Sequence, residues 1–219
     1  MKNSNTNARS RFLSGLVLIS LLALTACGGG DSNSGQQQTG SHGADARIAT
    51  HSKGNSASMP GTTTIAGISF TPPSHWKNLE ASGMRQAQFR LAPVGNDSAE
   101  GEVNIYYFGP QSGGGVQANL QRWVGQIILP DGSDASTATQ YDTFTADGMA
   151  GHLVALNGTY KSGGGRPMGG ETQLLPGYRL VGVVLEGPEG SLFFKLTGPE
   201  ATAGVMETEL LKMVHKAHQ

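Results

Sequence analysis

The chain has 219 residues with one cysteine, so no internal disulfide can brace it and the fold stands on its core alone. It carries 15 Lys+Arg against 16 Asp+Glu, and no basic cluster offers a row of cations to phosphates, which argues against nucleic-acid binding. Charged residues make up only 14%, below the usual quarter or so, and the 33 glycines fall in clusters, which points to loops rather than to a repeat.

Lys2, Arg9 and Arg11 precede an apolar run from Phe12 to Ala26, diluted by Ser14, Gly15, Ser20 and Thr25. The run has 15 residues, short of the roughly 20 that a spanning helix needs, and reads as a secretory signal. It ends in Leu24-Thr25-Ala26-Cys27, which resembles the lipobox of bacterial lipoproteins. That resemblance implies a diacylglycerol on the sulfur of Cys27, removal of residues 1–26 and acylation of the new amino end, with palmitate-like chains holding the protein to a membrane. The sorting pattern of such proteins places Asp after the cysteine for inner-membrane retention. Gly28 stands there instead, so the resemblance implies the periplasmic side of the outer membrane. Removal of residues 1–26 takes away three basic residues and no acidic one, leaving 12 against 16.

Residues 27–62 are rich in Gly, Ser, Thr, Gln and Asn, with Ile48 and Met59 as the only sizeable apolar side chains. Such a segment cannot offset its own ordering entropy and is expected to be a disordered tether with a root-mean-square reach of about 30 Å. His42 and His51 lie in it as solvated side chains.

Residues 63–219 are one domain by size. Thr63 to Phe70 reads as a strand ended by Pro72-Pro73. Met84 to Leu91 alternates with period two, and Glu102 to Phe108 puts Val103, Ile105 and Tyr107 on one face. Val116, Leu120, Trp123 and Ile127 then recur at helical spacing between Gly113-Gly114-Gly115 and Pro130. Thr139 to Thr145 and Gly151 to Tyr160 read as a hairpin turned at Gly148. Tyr178 to Glu186 and Ser191 to Leu196 form another, turned by Gly187-Pro188-Glu189-Gly190. Within the first of these, Leu180 to Leu185 is apolar on both faces, as a central strand covered on both sides requires. Glu200 to Lys216 closes as a helix with Met206, Leu210, Met213 or Val214, and Ala217 along one stripe. The expected class is α+β: a mostly antiparallel sheet of about six or seven strands with helices packed on its faces.

Three segments carry a further likeness: Phe70-Thr71-Pro72-Pro73-Ser74-His75-Trp76, the run Gly114 to Trp123, and Leu192-Phe193-Phe194-Lys195-Leu196-Thr197-Gly198-Pro199. They resemble uncharacterised bacterial secreted and lipoprotein domains of Mog1/PsbP-like arrangement, which implies an α/β/α sandwich over about residues 63–217. No residue-level motif carries over, so the photosystem and nuclear-transport roles known in that superfamily are not transferred.

The chemistry to be expected is sparse. No Gly-x-Ser-x-Gly elbow occurs, and His75, His152 and His215 are scattered, so neither acyl transfer nor a transition-metal site nor a cofactor is indicated. Asp131-Gly132-Ser133-Asp134 offers two carboxylates to a cation but also fits a plain turn after a helix. The best candidate is Gly113, Gly114, Gly115, Asn119 and Arg122: a glycine turn at a helix start can expose N–H groups to an anion, with Arg122 adding charge. The competing reading gives the glycines a positive-φ loop and Asn119 and Arg122 structural bonds to neighbouring strands. No Gly-Lys-Ser/Thr follows, so this is not a P-loop. Trp76 and Trp123 fit either a stacking surface or the core. The loop Ser162 to Gly170 fits either a binding lip or a tolerated insertion. The expectation is an envelope lipoprotein, more a non-catalytic binding or assembly module with an envelope protein partner than an enzyme. The alternative is a small-ligand binder or hydrolase using a cleft near the two glycine-rich loops.

Overall fold

A computed structural model describes residues 61–163 and 171–219. The signal, Cys27, nearly all of the tether and most of the second glycine loop lie outside the described residues.

Thr63 to Phe70 is a miniature hairpin rather than one strand: β1 (Thr63–Ile65) turns back into β2 (Ile68–Phe70). Ala66 and Gly67 take φ of 50° and 74°, the paired left-handed conformation of a two-residue turn whose twist suits a hairpin. The short edge strand β3 (Lys77–Leu79) follows, then β4 (Arg85–Leu91) and β5 (Gly101–Tyr106). Helix α1 (Val116–Val124) stops earlier than the spacing suggested. Gly125 caps it, and Ile127 goes instead into β6 (Ile127–Ile128), which pairs with the neighbouring strand at Tyr160. Glycine is a poor helix former and an open strand edge competes for the same residues. A 3-10 turn (Ala135–Ala138) leads to β7 (Gln140–Ala146) and β8 (Met149–Ser162), joined at Asp147-Gly148. Then come β9 (Gln173–Gly187), β10 (Gly190–Pro199) and α2 (Glu200–His215).

Eight strands form one antiparallel sheet in the order β3-β4-β5-β10-β9-β8-β6, with β7 pairing with the first half of β8. The α+β class is as expected, with one strand more than the upper expectation because β3 and β6 are too short to show a period. β9 is central, and its two faces enter two different cores. Val181, Val183 and Leu185 join Val103, Ile105, Phe194 and Leu196 beneath Met206, Leu210 and Val214 of α2. Leu180 and Val184 join Leu156 and Phe193 beneath Leu120, Trp123 and Val124 of α1.

The long helix α2 is held at its start and near its middle. Its N-cap, Pro199, supplies no side-chain acceptor. The carboxylate of Asp97, from the β4–β5 loop, accepts from the backbone N–H and the hydroxyl of Thr202, both at 2.7 Å, and serves as the cap. One turn further on, Arg179 of β9 donates to Glu207 from Nε and Nη2 at 2.6 and 2.8 Å, and to Asn157 at 2.7 Å. Both charged side chains are mostly buried, at 15% and 17% exposure, so removing one strands the other. Arg179→Met is expected to lower stability by about 2 kcal/mol in chemical denaturation, and Arg179→Met with Glu207→Leu to recover most of it.

Candidate functional site

The two faces of the sheet differ. The face under α2 is apolar from β4 to β8. The face under α1 is apolar on β8, on β9 and at Phe193 of β10, the part that the nine-residue α1 covers. Across β4, β5 and the rest of β10 the same face becomes more polar, in three cross-strand rows. Arg90 sits opposite Glu102 and Glu102 opposite Thr197; Gln88 opposite Asn104 and Asn104 opposite Lys195; Arg85 opposite Tyr106 and Tyr106 opposite Phe193.

The first two rows form a network. Glu102 accepts from Arg90 at 3.0 Å and from the Asn104 amide. Burial alone would push the Glu102 carboxyl up, but the bonds from Asn104, Arg90 and Gln88 outweigh it and hold the group below its ordinary range. The Arg90 guanidinium is pushed further up by its bond to Glu102. Since a carboxylate only accepts, the amide nitrogen of Asn104 must face Glu102, which turns its oxygen away. That oxygen is buried and has no hydrogen-bond partner among the described residues. Such an orphan acceptor costs about 1–3 kcal/mol.

Lys195 lies directly across from it. The ammonium donates to Gln126 Oε1 at 2.5 Å and to Tyr160 Oη at 2.9 Å, and stands 4.9 Å over the Tyr160 ring. Two of its three donors are thereby used. Burial pulls its pKa down to about 8, with Glu102 opposing. Burial likewise pushes the Tyr160 hydroxyl up to about 12 and raises that of Tyr106.

Beside Lys195, a cavity of about 110 Å³ opens between β5, β10 and α1. Tyr106, Phe108, Trp123 and Phe193 supply four aromatic walls, and Asn119, Arg122 and Lys195 supply the polar groups. Tyr106 and Phe108 stack with centroids 6.1 Å apart, and Phe108 packs on Phe193 at 5.5 Å. Phe108 stays 38% exposed at the mouth. Larger hollows occur elsewhere, one of them beside Tyr141, Asp142 and His152, but none of those lined by described residues combines two cations with a ring of aromatics.

Of the sequence candidates, Asn119 and Arg122 line this cavity, Gly113 packs on two of its walls, and Gly114 and Gly115 do not line it. Asn119 Nδ2 donates to the carbonyls of Gly113 at 2.8 Å and Gly115 at 3.1 Å, with Gly114 at 3.4 Å. Arg122 donates to Asn119 Oδ1 at 2.6 Å, so these bonds run within the loop and helix rather than to neighbouring strands. Gly113 (φ 92°) passes so close over the rings that an added Cβ would come within 2.6 Å of Phe108 and 3.0 Å of Phe193. Gly114 also has positive φ, whereas Gly115 has φ −66°, open to any residue. Arg122 is exposed and forms no ion pair among the described residues.

Trp123 both lines the cavity and lies over Gly182 in the α1 core. The remaining candidates fall elsewhere: Trp76 packs on Phe89 while donating to Glu209 at 2.8 Å. His75 meets Glu209, His152 meets Glu186, and His215 stacks on Phe144. Asp131 and Asp134 each accept from a backbone N–H two residues on, at 3.0 and 2.9 Å, which makes them turn and cap residues. Among the described residues no group of three metal-ligating side chains converges. Lys195 and Asn104 were missed as site residues. The available signals were a lysine inside Leu-Phe-Phe-Lys-Leu and an asparagine on the second face of an apolar strand.

The fold and site together define an α+β domain with an eight-stranded antiparallel sheet, helices on both faces and a half-polar sheet surface ending in a cationic, aromatic-walled cavity. No family model matches the chain, and no curated protein matches it. Among solved structures it is similar to the cyanobacterial PsbP protein of Synechocystis sp. PCC 6803, at 14% identity over 74% of this chain and 95% of that one, with a TM-score of 0.42. It is also similar to a Pseudomonas aeruginosa protein of unknown function, at 15% identity over 64% of this chain and 93% of that one, with a TM-score of 0.35.

Proposed function

We propose that this chain is an envelope lipoprotein, anchored through Cys27 and carrying residues 63–219 as a non-catalytic binding module on a tether. Its binding surface is the polar half of the sheet face beyond α1. The observation that carries this reading is the row Gln88, Asn104 and Lys195. Here a nearly buried amide oxygen lacks a partner directly opposite a lysine with a donor to spare. Apolar residues at these positions would stabilise the sheet better, so an incompletely satisfied polar row just beneath this face supports a role for it beyond packing.

A photo-crosslinking residue placed at Phe108 in the full chain, in native cells, is expected to capture an envelope component. The same residue at Tyr141, exposed on β7, is expected to capture none, and Lys195→Met to abolish the product at Phe108. Equal capture at both positions would defeat the assignment of the surface. The anchor is tested separately. Cys27→Ser is expected to move the protein from the membrane to the soluble fraction, and an unchanged distribution would remove the lipoprotein reading.

The cavity at Arg122 and Lys195 favours a second reading, a binder of small ligands. Both use the same face.

A further inference from the structure

We propose that the cavity between β5, β10 and α1 binds a small monocarboxylate with a flat, apolar body, its carboxylate lying between Lys195 and Arg122. This rests on the small-ligand reading above and names the ligand class. Three observations converge on it.

The first is charge. Lys195 and Arg122 line one cavity, no acidic residue lines it, and Arg122 forms no ion pair among the described residues. The nearest acid along the strands, Glu102, is engaged by Arg90 and Asn104. One positive charge at the mouth and one deeper against the sheet make a field that only an anion relieves.

The second is shape. Tyr106, Phe108, Trp123 and Phe193 form the walls, and such faces select planar apolar groups. A volume of about 110 Å³ is somewhat below the roughly 150 Å³ of a cavity known to admit benzene. With the mouth open at Phe108, a single ring bearing one carboxylate is about the limit.

The third is what the glycine loop presents. Its carbonyls converge on Asn119, so the charged donors lining the cavity are the side chains of Arg122 and Lys195. Two cationic side chains suit a carboxylate. A phosphate, with its extra charge and oxygens, would call on more.

The groups around Lys195 are Glu102 and Tyr106 from β5, Tyr160 from β8 with Tyr178 of β9 stacked on it, and Arg122 and Gln126 from the α1 segment; directly across on β9 stands Gly182. Glu102 is held below its ordinary range, and Tyr106 and Tyr160 are raised. The lysine, held at about 8, loses its charge between pH 7 and 9.5.

The test uses the full chain with benzoate as the probe and benzamide and inorganic phosphate as controls, followed by NMR of the Trp123 indole and by calorimetry. Benzoate is expected to saturate and to shift the indole, with benzamide and phosphate at least about tenfold weaker. Lys195→Met and Arg122→Gln are each expected to weaken benzoate about tenfold. Raising the pH from 7 to 9.5 is expected to weaken it similarly as the ammonium is lost. Lys195→Arg keeps the charge and is expected to retain binding but lose that pH dependence, which separates a ligand-contacting cation from a merely structural one. Benzoate that fails to saturate, binding that survives both charge-removing variants, or phosphate binding as tightly as benzoate would each overturn the proposal. If benzoate fails while Phe108 still captures a partner, the ligand class is wrong and the binding surface stands. If both fail, the binding reading falls with it.

Discussion

Gly182→Ala is expected to destabilise the domain by about 3 kcal/mol, the upper end for a single overpacked position, and to lower Tm by about 6–12 °C in a domain of this size. Gly182 sits in the middle of β9, between Lys195 and Val154, with the indole of Trp123 directly above it. A Cβ added there would lie 2.0 Å from Trp123 Cε3 and 2.5 Å from Cζ3. The ring is 6% exposed and holds α1 against the sheet, so it cannot step aside without lifting the helix. Chemical denaturation of the variant measures the loss. Trp123→Leu in the same background should recover a good part of it, since a smaller side chain vacates the contested space. A Gly182→Ala protein as stable as the parent would mean that α1 is not seated through this contact.

Stability is expected to rise by about 2 kcal/mol between pH 8 and pH 10, and Lys195→Met to flatten that rise. Burial holds the ammonium at about 8 in the folded protein, against an ordinary value of 10.5. Between those values the unfolded chain carries a proton that the folded chain has shed, so raising the pH favours the folded state. Below pH 8 both forms are charged and the desolvation penalty is present in full. Above pH 10 the raised tyrosines, Tyr106 and Tyr160, begin to pull the other way, because the unfolded chain releases those protons first. Denaturation midpoints across this window give the slope directly. A profile identical in the parent and in Lys195→Met would show that the lysine is not desolvated.

Legibility in the sequence tracked length and periodicity. β4, β5, β7 to β10 and both helices announced themselves by alternation or by a helical stripe, and Leu180 to Leu185 correctly marked the strand that serves two cores. β3 and β6, with three and two residues, are too short to carry a period and exist only because a neighbour offers an edge. The turn at Ala66-Gly67 was hidden because alanine is an unusual residue at positive φ. For the site, Asn119 and Arg122 stood out by following a glycine cluster at a helix start. Lys195 and Asn104 did not, because they lie on different strands and only the register places them face to face. That register is a long-range property, decided by packing on the opposite face. The anchor at Cys27 and nearly all of the tether rest on composition and on the lipobox likeness, and lie outside the described residues.

Pro199 ends β10 and Glu200 begins α2, with no loop between them. This seam acts as a ruler. An α-helix advances about 100° per residue, so one residue inserted or lost at the seam would swing Met206, Leu210 and Val214 off the sheet and turn charged side chains toward it. Homologous chains should therefore tolerate length changes almost anywhere along the outer loops but keep the spacing from Lys195 to Met206 invariant.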